Sequence, residues 1–215
     1  MTRIIFIRHG ESEANFKKIG AGQIDFPLTE LGKKQARLAA KYILAREKID
    51  CIYSSDLQRA VNTARPVADA LKLPINTDKR LREYDTGDFA GLTLEERNKR
   101  FPKEAEQLRN DKAHARFPNG EYVPDVYDRM KECVCEISKA HCGETVLIAS
   151  HSGAMSTFDA FAQGLSREEV PNASGFSNTS INIYECDGYT ARVIEKNITE
   201  HLSAVDDDTP DTDRQ

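Results

Sequence analysis

Short apolar runs and helically spaced apolar residues follow one another along this chain in a repeated strand-then-helix order. The runs at 3–8, 50–55 and 145–150 are typical of strands buried in a sheet. Apolar residues then recur at helical spacing over 29–47 and 57–71. This order predicts an α/β fold in which helices cover both faces of a mostly parallel sheet.

Polar residues between these patterns indicate where helices and turns begin. Thr29 and Asp56 each stand directly before a helical pattern, and we expect each to cap its helix. Alternating residues at 180–186 and 190–194 flank Asp187-Gly188. This arrangement predicts a hairpin with a two-residue turn.

The apolar signal weakens between residues 92 and 125, where charged residues crowd together. This segment precedes a helical pattern over 126–140, and we interpret it as an inserted helical lid. Its cations at 97–116 fit either a solvated helical face or a subset that faces a substrate. Residues 203–215 are acidic and contain proline, so we expect a disordered tail after one domain at 1–202.

The composition is ordinary for a globular protein with an almost neutral body. The 215 residues are 39% hydrophobic and 30% charged, and no apolar run approaches the roughly 20 residues of a membrane span. The tail, with five aspartates and one arginine, carries most of the formal net charge of −5. Binding to a phosphate backbone needs a clustered basic face, so we expect neither nucleic acid nor a membrane as a partner.

The five cysteines predict a reducing compartment. They are odd in number and lack the spacing of a disulfide framework, so free thiols are the simpler interpretation. The apolar stretch at 4–7 is too short for a signal peptide, and Arg8 and His9 follow it at once. We therefore expect a cytoplasmic protein.

Three predicted strand ends carry residues suited to an anion. Arg8 and His9 end the first strand, Arg59 lies one turn into the helix after the second, and His151 follows the strand at 145–150. If these strands are neighbours, the four side chains meet at the carboxyl edge of the sheet. Guanidinium groups match phosphate geometry and keep their charge, so phosphate is the predicted ligand.

The same residues favour nucleophilic chemistry. A neutral imidazole attacks phosphorus, and the neighbouring arginines disfavour a protonated His9. Glu83 follows a third candidate strand, from which it can protonate a leaving oxygen and then activate water. Backbone N–H groups near Gly22 and after His151, with the amide of Asn15, offer further donors to an anion.

Five segments of the chain stand in an order and at spacings that a known family shares. They are Arg8-His9-Gly10-Glu11 with Asn15, Pro27-Leu28-Thr29-Glu30-Leu31-Gly32, Ser54-Ser55 with Arg59-Ala60 and Thr63-Ala64, Leu81-Arg82-Glu83, and Ser150-His151-Ser152-Gly153. From residue 3 to about residue 202 the sequence resembles the histidine phosphatase (phosphoglycerate mutase-like) superfamily. The resemblance implies a three-layer α/β/α sandwich and catalysis without a metal or other cofactor.

This resemblance also implies a role for each matching residue. His9 would be the nucleophile that becomes phosphorylated, and Glu83 would be the proton donor. Three residues would bind and stabilise the phosphoryl group: Arg8, Arg59 and His151. Four match positions that contact phosphate or substrate: Asn15, Gly22, Gln23 and Ser152.

Zinc and cysteine chemistry are the main alternatives for these residue types. The chain has no His-Glu-x-x-His helix, and Cys133 with Cys135 lacks zinc-knuckle spacing. Cys186 and Arg192 stand six apart, as in cysteine-dependent phosphatases, but a predicted hairpin turn lies between them. Three other histidines receive no catalytic role. We expect His114 and His141 to be surface residues and His201 to cap or pack the last strand.

The residues after Glu83 favour hydrolysis over phosphoryl transfer between metabolites. Mutases of the family continue with Arg-His-Tyr-Gly, whereas this chain has Tyr84-Asp85-Thr86-Gly87. We expect a metal-independent phosphomonoesterase, a histidine acid-type phosphatase that hydrolyses a small phosphorylated metabolite through phosphohistidine at His9. A cofactor-dependent phosphoglycerate mutase and a non-catalytic phosphate-binding scaffold are the alternatives. The residues identify neither the natural substrate nor the oligomeric state. They fit a homo-oligomer as well as a monomer.

Overall fold

The computed structural model describes residues 1–171 and 175–203. Its strands are β1 (Thr2–Arg8), β2 (Cys51–Ser54), β3 (Ile75–Thr77), β4 (Thr145–Ser150), β5 (Ile181–Cys186) and β6 (Ala191–Ile198). Its α-helices are α1 (Glu13–Phe16), α2 (Glu30–Leu44), α3 (Gln58–Leu71), α4 (Leu94–Arg100), α5 (Pro102–Asn110), α6 (Val123–Ala140) and α7 (Ser152–Ala162). Nearly all of the predicted acidic tail lies outside the described residues, so its disorder stays a prediction.

The strands form one mixed sheet in the order β3-β2-β4-β1-β5-β6. The first four of these run parallel, and β5 and β6 are antiparallel to their neighbours. Arg8 stands opposite Ser150 in the register, and Ser54 stands opposite Ala149. The carboxyl ends of β1, β4 and β2 therefore meet at one edge, which confirms the predicted mostly parallel sheet and the adjacency of its three chemistry-bearing strands.

Apolar side chains cover both faces of the sheet, because successive residues of a strand point to opposite sides. Ile4 and Phe6 of β1 join the hydrophobic cluster that includes α6 and α7. Ile5 and Ile7 join the cluster that includes α2 and α3. The helices thus lie in two layers on either side of the sheet, and the implied three-layer α/β/α sandwich is confirmed.

The two predicted helix caps differ in outcome. Thr29 caps α2, since its Oγ1 accepts a hydrogen bond of 3.0 Å from Gly32 N. The prediction for Asp56 is wrong, because Leu57 is the N-cap of α3. The Asp56 carboxylate instead accepts from Arg82, with 2.6 Å between Nε and Oδ1. Both carboxylate oxygens are engaged by the Arg82 guanidinium, a bidentate pair with a distant segment that takes the place of the cap.

Residues 92–125, called here the lid segment, follow β3, contain α4, α5 and the 3₁₀ turn Lys112–His114, and end in the first turn of α6. Aromatic contacts join this segment to the residues that follow Glu83. The ring of Tyr84 lies 5.5 Å from that of Phe117, and the ring of Phe89 lies 5.5 Å from that of Phe101. The lid segment is therefore packed beside the predicted proton donor.

The predicted hairpin is present, with its turn one residue further on. Asp187 N donates to Thr190 O at 3.1 Å, so Gly188 and Tyr189 are the central residues. Gly188 has a φ of +89°, which glycine adopts without strain. In the described part of the chain, no helix combines the length and apolar character needed to cross a membrane.

Candidate active site

The carboxyl edge of the sheet brings the two predicted catalytic histidines together. His9 follows β1, where its backbone N–H donates to Ser150 O at 3.0 Å, and His151 follows β4. Their ring centroids lie 5.2 Å apart, and both side chains are buried. Arg59 is fully buried in the first turn of α3 beside them. The convergence expected from the strand ends is therefore present.

The hydrogen bonding of His9 leaves one ring nitrogen available for attack. Its Nδ1 lies 2.7 Å from the carbonyl oxygen of Gly10. A carbonyl only accepts, so Nδ1 carries the proton and Nε2 carries the lone pair. Burial, together with the positive charges of Arg8 and Arg59, holds the pKa of His9 well below its ordinary value. The imidazole is therefore neutral near pH 7.

The turn after His9 is held closely against α2 and α3. Gly10 N donates to Thr63 Oγ1 at 3.0 Å, and Glu11 N donates to Gln35 Oε1 at 2.9 Å. A Cβ at Gly10 would lie 2.5 Å from the carbonyl oxygen of Gly32. Glycine is required there because of this backbone contact, and the two helices fix the direction in which the imidazole points.

Arg59 is buried and Arg8 is half-buried, and both guanidinium groups bind backbone carbonyls. Arg59 donates from Nη1 to Ile24 O at 2.8 Å and from Nη2 to Gly22 O at 2.7 Å. Arg8 donates from Nη1 to Phe176 O. Burial lowers the pKa of both guanidinium groups, and a nearby carboxylate partly opposes that effect. Carbonyl partners orient these cations without neutralising them, so the site has a positive potential.

Three buried nitrogen atoms at this edge have no hydrogen-bond partner in the part of the chain that the structure describes. They are Arg8 Nε, Arg59 Nε and His151 Nδ1. Leaving such a group unpaired costs about 1–3 kcal/mol. His151 Nε2 lies 2.9 Å from Ser55 Oγ, and it accepts from that hydroxyl in the tautomer with the proton on Nδ1. Burial and the charge of Arg59 lower the pKa of His151 well below its ordinary value. In that tautomer all three atoms are donors suited to an oxygen-rich anion.

Glu83 lies at the N-terminus of α7, directly beyond His151. Its Oε2 accepts from Gly153 N, and its Oε1 accepts from Ala154 N and Tyr84 N, each at 3.0 Å. A helix N-terminus attracts a carboxylate, which explains this position. The negative charge of Glu83 acts on both Arg8 and Arg59, so the predicted proton donor borders the same site.

A residue that the sequence did not single out holds the Glu83 segment in place. Arg129 of α6 donates to the carbonyl oxygens of Arg80, Arg82 and Glu83 over distances between 2.5 and 3.0 Å. It also makes an ion pair of 2.9 Å with Glu121. This guanidinium therefore fixes the backbone on which the predicted proton donor stands.

Two predicted substrate residues are occupied in holding loops together. Gln23 donates from Nε2 to Glu83 O at 3.2 Å and accepts from Arg82 at 3.1 Å. Ser152 Oγ accepts from Phe176 N at 3.2 Å. Both lie at the edge of the site, and direct contact with a substrate stays a prediction for them.

Asn15 and Gly22 are the other two predicted substrate residues. The Oδ1 of Asn15 accepts from Ser12 N at 3.0 Å and from Asn178 Nδ2 at 3.3 Å, so its own amide N–H groups are the ones left to face a ligand. Gly22 has a φ of +51° and supports Arg59 through its carbonyl. Asn178 also donates to His9 O at 3.0 Å. Nothing in its local sequence indicates that contact.

The residues of the alternative chemistries are engaged elsewhere. Cys186 is buried at the end of β5, and Arg192 pairs with Glu185, so these two residues form no phosphate cradle. All five cysteines are free thiols. Among the described residues, no group of three or more His, Cys, Asp or Glu is arranged to hold a metal ion.

The other three histidines lie away from the site. His114 is exposed and lies 2.8 Å from Asp111 through Nδ1, and His141 lies 2.7 Å from Glu144 in the same way. His201 is buried, with Nε2 3.2 Å from Thr179 Oγ1. None of these contacts involves the residues of the sheet edge.

Known proteins share both the sequence and the fold of this chain. The sequence pattern of the histidine phosphatase superfamily (branch 1) matches residues 4–199. Phosphoserine phosphatase 1 of Hydrogenobacter thermophilus is 33% identical over 94% of this chain and 95% of its own. Phosphoglycerate mutase-like protein 4 of Arabidopsis thaliana is 31% identical over 84% of this chain and 78% of its own. The structure of YhfR from Bacillus stearothermophilus superposes with a TM-score of 0.86 at 32% identity, covering 94% of this chain and 100% of that one. The chain therefore belongs to the histidine phosphatase superfamily, branch 1.

Proposed function

We propose that this protein is a phosphomonoesterase that hydrolyses a small phosphorylated metabolite through a phosphohistidine at His9. One observation carries the proposal. Three unpaired buried donors, Arg8 Nε, Arg59 Nε and His151 Nδ1, surround a neutral histidine whose Nε2 holds a lone pair. A phosphoryl group has oxygens for these donors and a phosphorus atom for that lone pair.

The first step forms the N–P bond. His9 Nε2 attacks phosphorus, the bond from phosphorus to the ester oxygen breaks, and Glu83 gives its proton to the leaving oxygen. Arg8, Arg59 and His151 stabilise the charge on the other phosphoryl oxygens. The leaving alcohol then departs, and the His9 phosphoramidate is left beside the Glu83 carboxylate.

The second step restores the enzyme. The Glu83 carboxylate takes a proton from water as the water oxygen bonds to phosphorus and the N–P bond breaks. Inorganic phosphate leaves, and His9 returns to its neutral form with the proton on Nδ1. The same carboxyl group therefore serves as acid in the first step and as base in the second.

We also propose that the reaction needs no metal ion and takes place in the cytoplasm. Arg8 and Arg59 lie beside both histidines, and their charges oppose the approach of a divalent cation. Free thiols at all five cysteines fit a reducing compartment. Turnover of p-nitrophenyl phosphate should be unchanged by EDTA, and activity restored only by zinc would contradict the proposal.

A mutase is the second candidate, because one relative is named phosphoglycerate mutase-like. The residues after Glu83 support hydrolysis instead: the ring of Tyr84 packs against Phe117, and Asp85 Oδ1 accepts from Gly87 N. Neither adds a positive charge for a second phosphate. Incubation of 3-phosphoglycerate with 2,3-bisphosphoglycerate separates the candidates, since a mutase yields 2-phosphoglycerate and a phosphatase yields glycerate and inorganic phosphate.

The direct test is replacement of His9. His9→Ala should lower kcat for p-nitrophenyl phosphate by at least about 10³-fold, because a nucleophile that acts as part of a catalytic unit is removed. Wild-type enzyme quenched in alkaline detergent should carry acid-labile, base-stable phosphate, and the variant should carry none. Full turnover by His9→Ala would refute the role of His9, and the exposed His114→Ala is the matched control.

A further inference from the structure

A cavity of about 360 Å³ lies between the lid segment and the residues that follow Glu83. Its walls are mainly apolar side chains, with four polar ones among them. The lining residues are Phe89, Leu94, Arg97, Asn98, Ala105, Leu108, Arg109, Lys112 and Phe117. Sites for small molecules are usually about 300–1,000 Å³ in volume, largely apolar, and have a few polar groups that orient the ligand. The cavity matches this description.

Two buried polar atoms of the cavity wall have no hydrogen-bond partner among the described residues. Arg97 Nε is a donor, and Asn98 Oδ1 is an acceptor. They belong to consecutive residues of α4, and both residues line the cavity. Each unpaired buried atom costs about 1–3 kcal/mol.

The cavity adjoins the candidate active site on two sides. A Cβ at Gly20 would lie 1.3 Å from Arg97 Nη2, so this guanidinium packs against the loop that contains Gly22. On the other side, Lys112 Nζ lies 5.2 Å from the ring centroid of Tyr84, the neighbour of Glu83 in the chain. The negative charge of Glu83 acts on Lys112 and opposes the lowering of its pKa by burial. The cavity thus lies beside the predicted proton donor.

The charge of the wall selects the ligand. Three cations line the cavity, Arg97, Arg109 and Lys112, and no Asp or Glu side chain is among the lining residues. Five apolar residues supply the rest of the surface. An anionic group is favoured near the cations, and an apolar body is favoured beside the phenylalanines.

We propose that this cavity binds the organic part of the phosphomonoester, which has an apolar or aromatic body and an anionic group that pairs with Arg97 and Lys112. The proposal rests on the proposed function, because Glu83 protonates the oxygen that joins phosphorus to this organic part. The oxygen and the group attached to it must therefore face the Glu83 side of the site.

Two synthetic substrates test the anionic requirement. Phenyl phosphate and 3-carboxyphenyl phosphate release phenols of similar acidity, so their kcat/KM ratio reports binding of the carboxylate. We expect the carboxylate to raise kcat/KM by about tenfold or more, the effect of one charged hydrogen bond. Arg97→Gln and Lys112→Gln should each bring the ratio close to one. Arg100→Gln, exposed on the same helix, should keep the wild-type ratio.

A second variant tests the apolar body. Ala105 is buried and lines the cavity, so Ala105→Leu should fill part of it. We expect kcat/KM for both aryl phosphates to fall about tenfold while that for methyl phosphate is unchanged, because methyl phosphate does not reach the cavity. A thermal melt establishes that each variant is folded.

The outcomes separate this proposal from the proposed function. The cavity assignment is overturned if the wild-type enzyme shows no preference for the carboxylate, or if Arg97→Gln, Lys112→Gln and Arg100→Gln all keep the same ratio. An unchanged ratio of aryl to methyl phosphate in Ala105→Leu also overturns it. Absence of turnover for every monoester, with no phosphate on His9, would refute the proposed function itself.

Discussion

Gly153 is the second residue of α7 and the point at which the helix meets the predicted proton donor. A Cβ at this position would lie 2.4 Å from Glu83 Oε1 and 2.5 Å from Tyr84 Cε2. Non-bonded heavy atoms prefer a separation of about 3.5 Å. Tyr84 is buried and cannot move aside, so Gly153→Ala displaces the Glu83 carboxylate by about 1 Å.

The expected effect on stability is small, and the expected effect on catalysis is large. Alanine stabilises a helix by about 1 kcal/mol relative to glycine, whereas overpacking costs about 1–3 kcal/mol. The net loss in the free energy of unfolding is therefore about 2 kcal/mol at most. A displacement of about 1 Å in a catalytic group lowers the rate about 10²-fold.

The choice of leaving group isolates the contribution of Glu83. An alkyl phosphate such as phosphoserine needs protonation of its leaving oxygen, and p-nitrophenolate hardly needs it. We expect Gly153→Ala to lower kcat for phosphoserine about 10²-fold and kcat for p-nitrophenyl phosphate less than tenfold. Gly175→Ala is the matched control, because a Cβ there meets no atom of the described residues within 4 Å. Equal losses on both substrates, or no loss on either, would refute the reasoning.

Three further changes test other parts of the site. The pKa values of His9 and His151 lie well below the ordinary 6.5, so the unfolded chain binds more protons below about pH 6.5. As the pH is lowered below about 6.5, the free energy of unfolding, measured by urea denaturation, should decrease by up to about 1.4 kcal/mol per pH unit for each histidine. The decrease should be less steep in His9→Asn. Arg59→Lys should lower kcat/KM for p-nitrophenyl phosphate about 10²-fold, because lysine cannot hold two loop carbonyls and a phosphoryl oxygen together, whereas the exposed Arg65→Lys should leave kcat/KM unchanged. Arg129→Met should lower both Tm and kcat for phosphoserine, the latter at least about tenfold, since three carbonyls of the Glu83 segment lose their donor; an unchanged kcat would contradict this role.

Local patterns were sufficient to predict the sheet and the convergence of its strand ends. Buried parallel strands need continuous apolar runs, so β1 and β4 were visible in the sequence, and His9 and His151 follow them directly. Glu83 was placed after a third strand, but its hydrogen bonds to the start of α7 depend on the packing of two segments about 70 residues apart.

Contacts between distant segments account for what the sequence did not reveal. Asp56 pairs with Arg82, and Arg129 binds carbonyl groups more than 40 residues away, so neither contact has a local signal. The lid segment illustrates the same limit. Its many cations have similar sequence surroundings, and only the fold separates Arg97, packed against the active-site loop, from the exposed Arg100.

In the proposed mechanism, the contact between His9 Nδ1 and Gly10 O also determines which regioisomer of the modified histidine forms. With Nδ1 held by the carbonyl, phosphate can be attached only to Nε2, which gives the τ isomer, 3-phosphohistidine. Reagents that recognise this isomer should detect the trapped enzyme, whereas those for the π isomer, 1-phosphohistidine, should not. A backbone oxygen atom thus sets which ring nitrogen carries the phosphoryl group in the proposed intermediate.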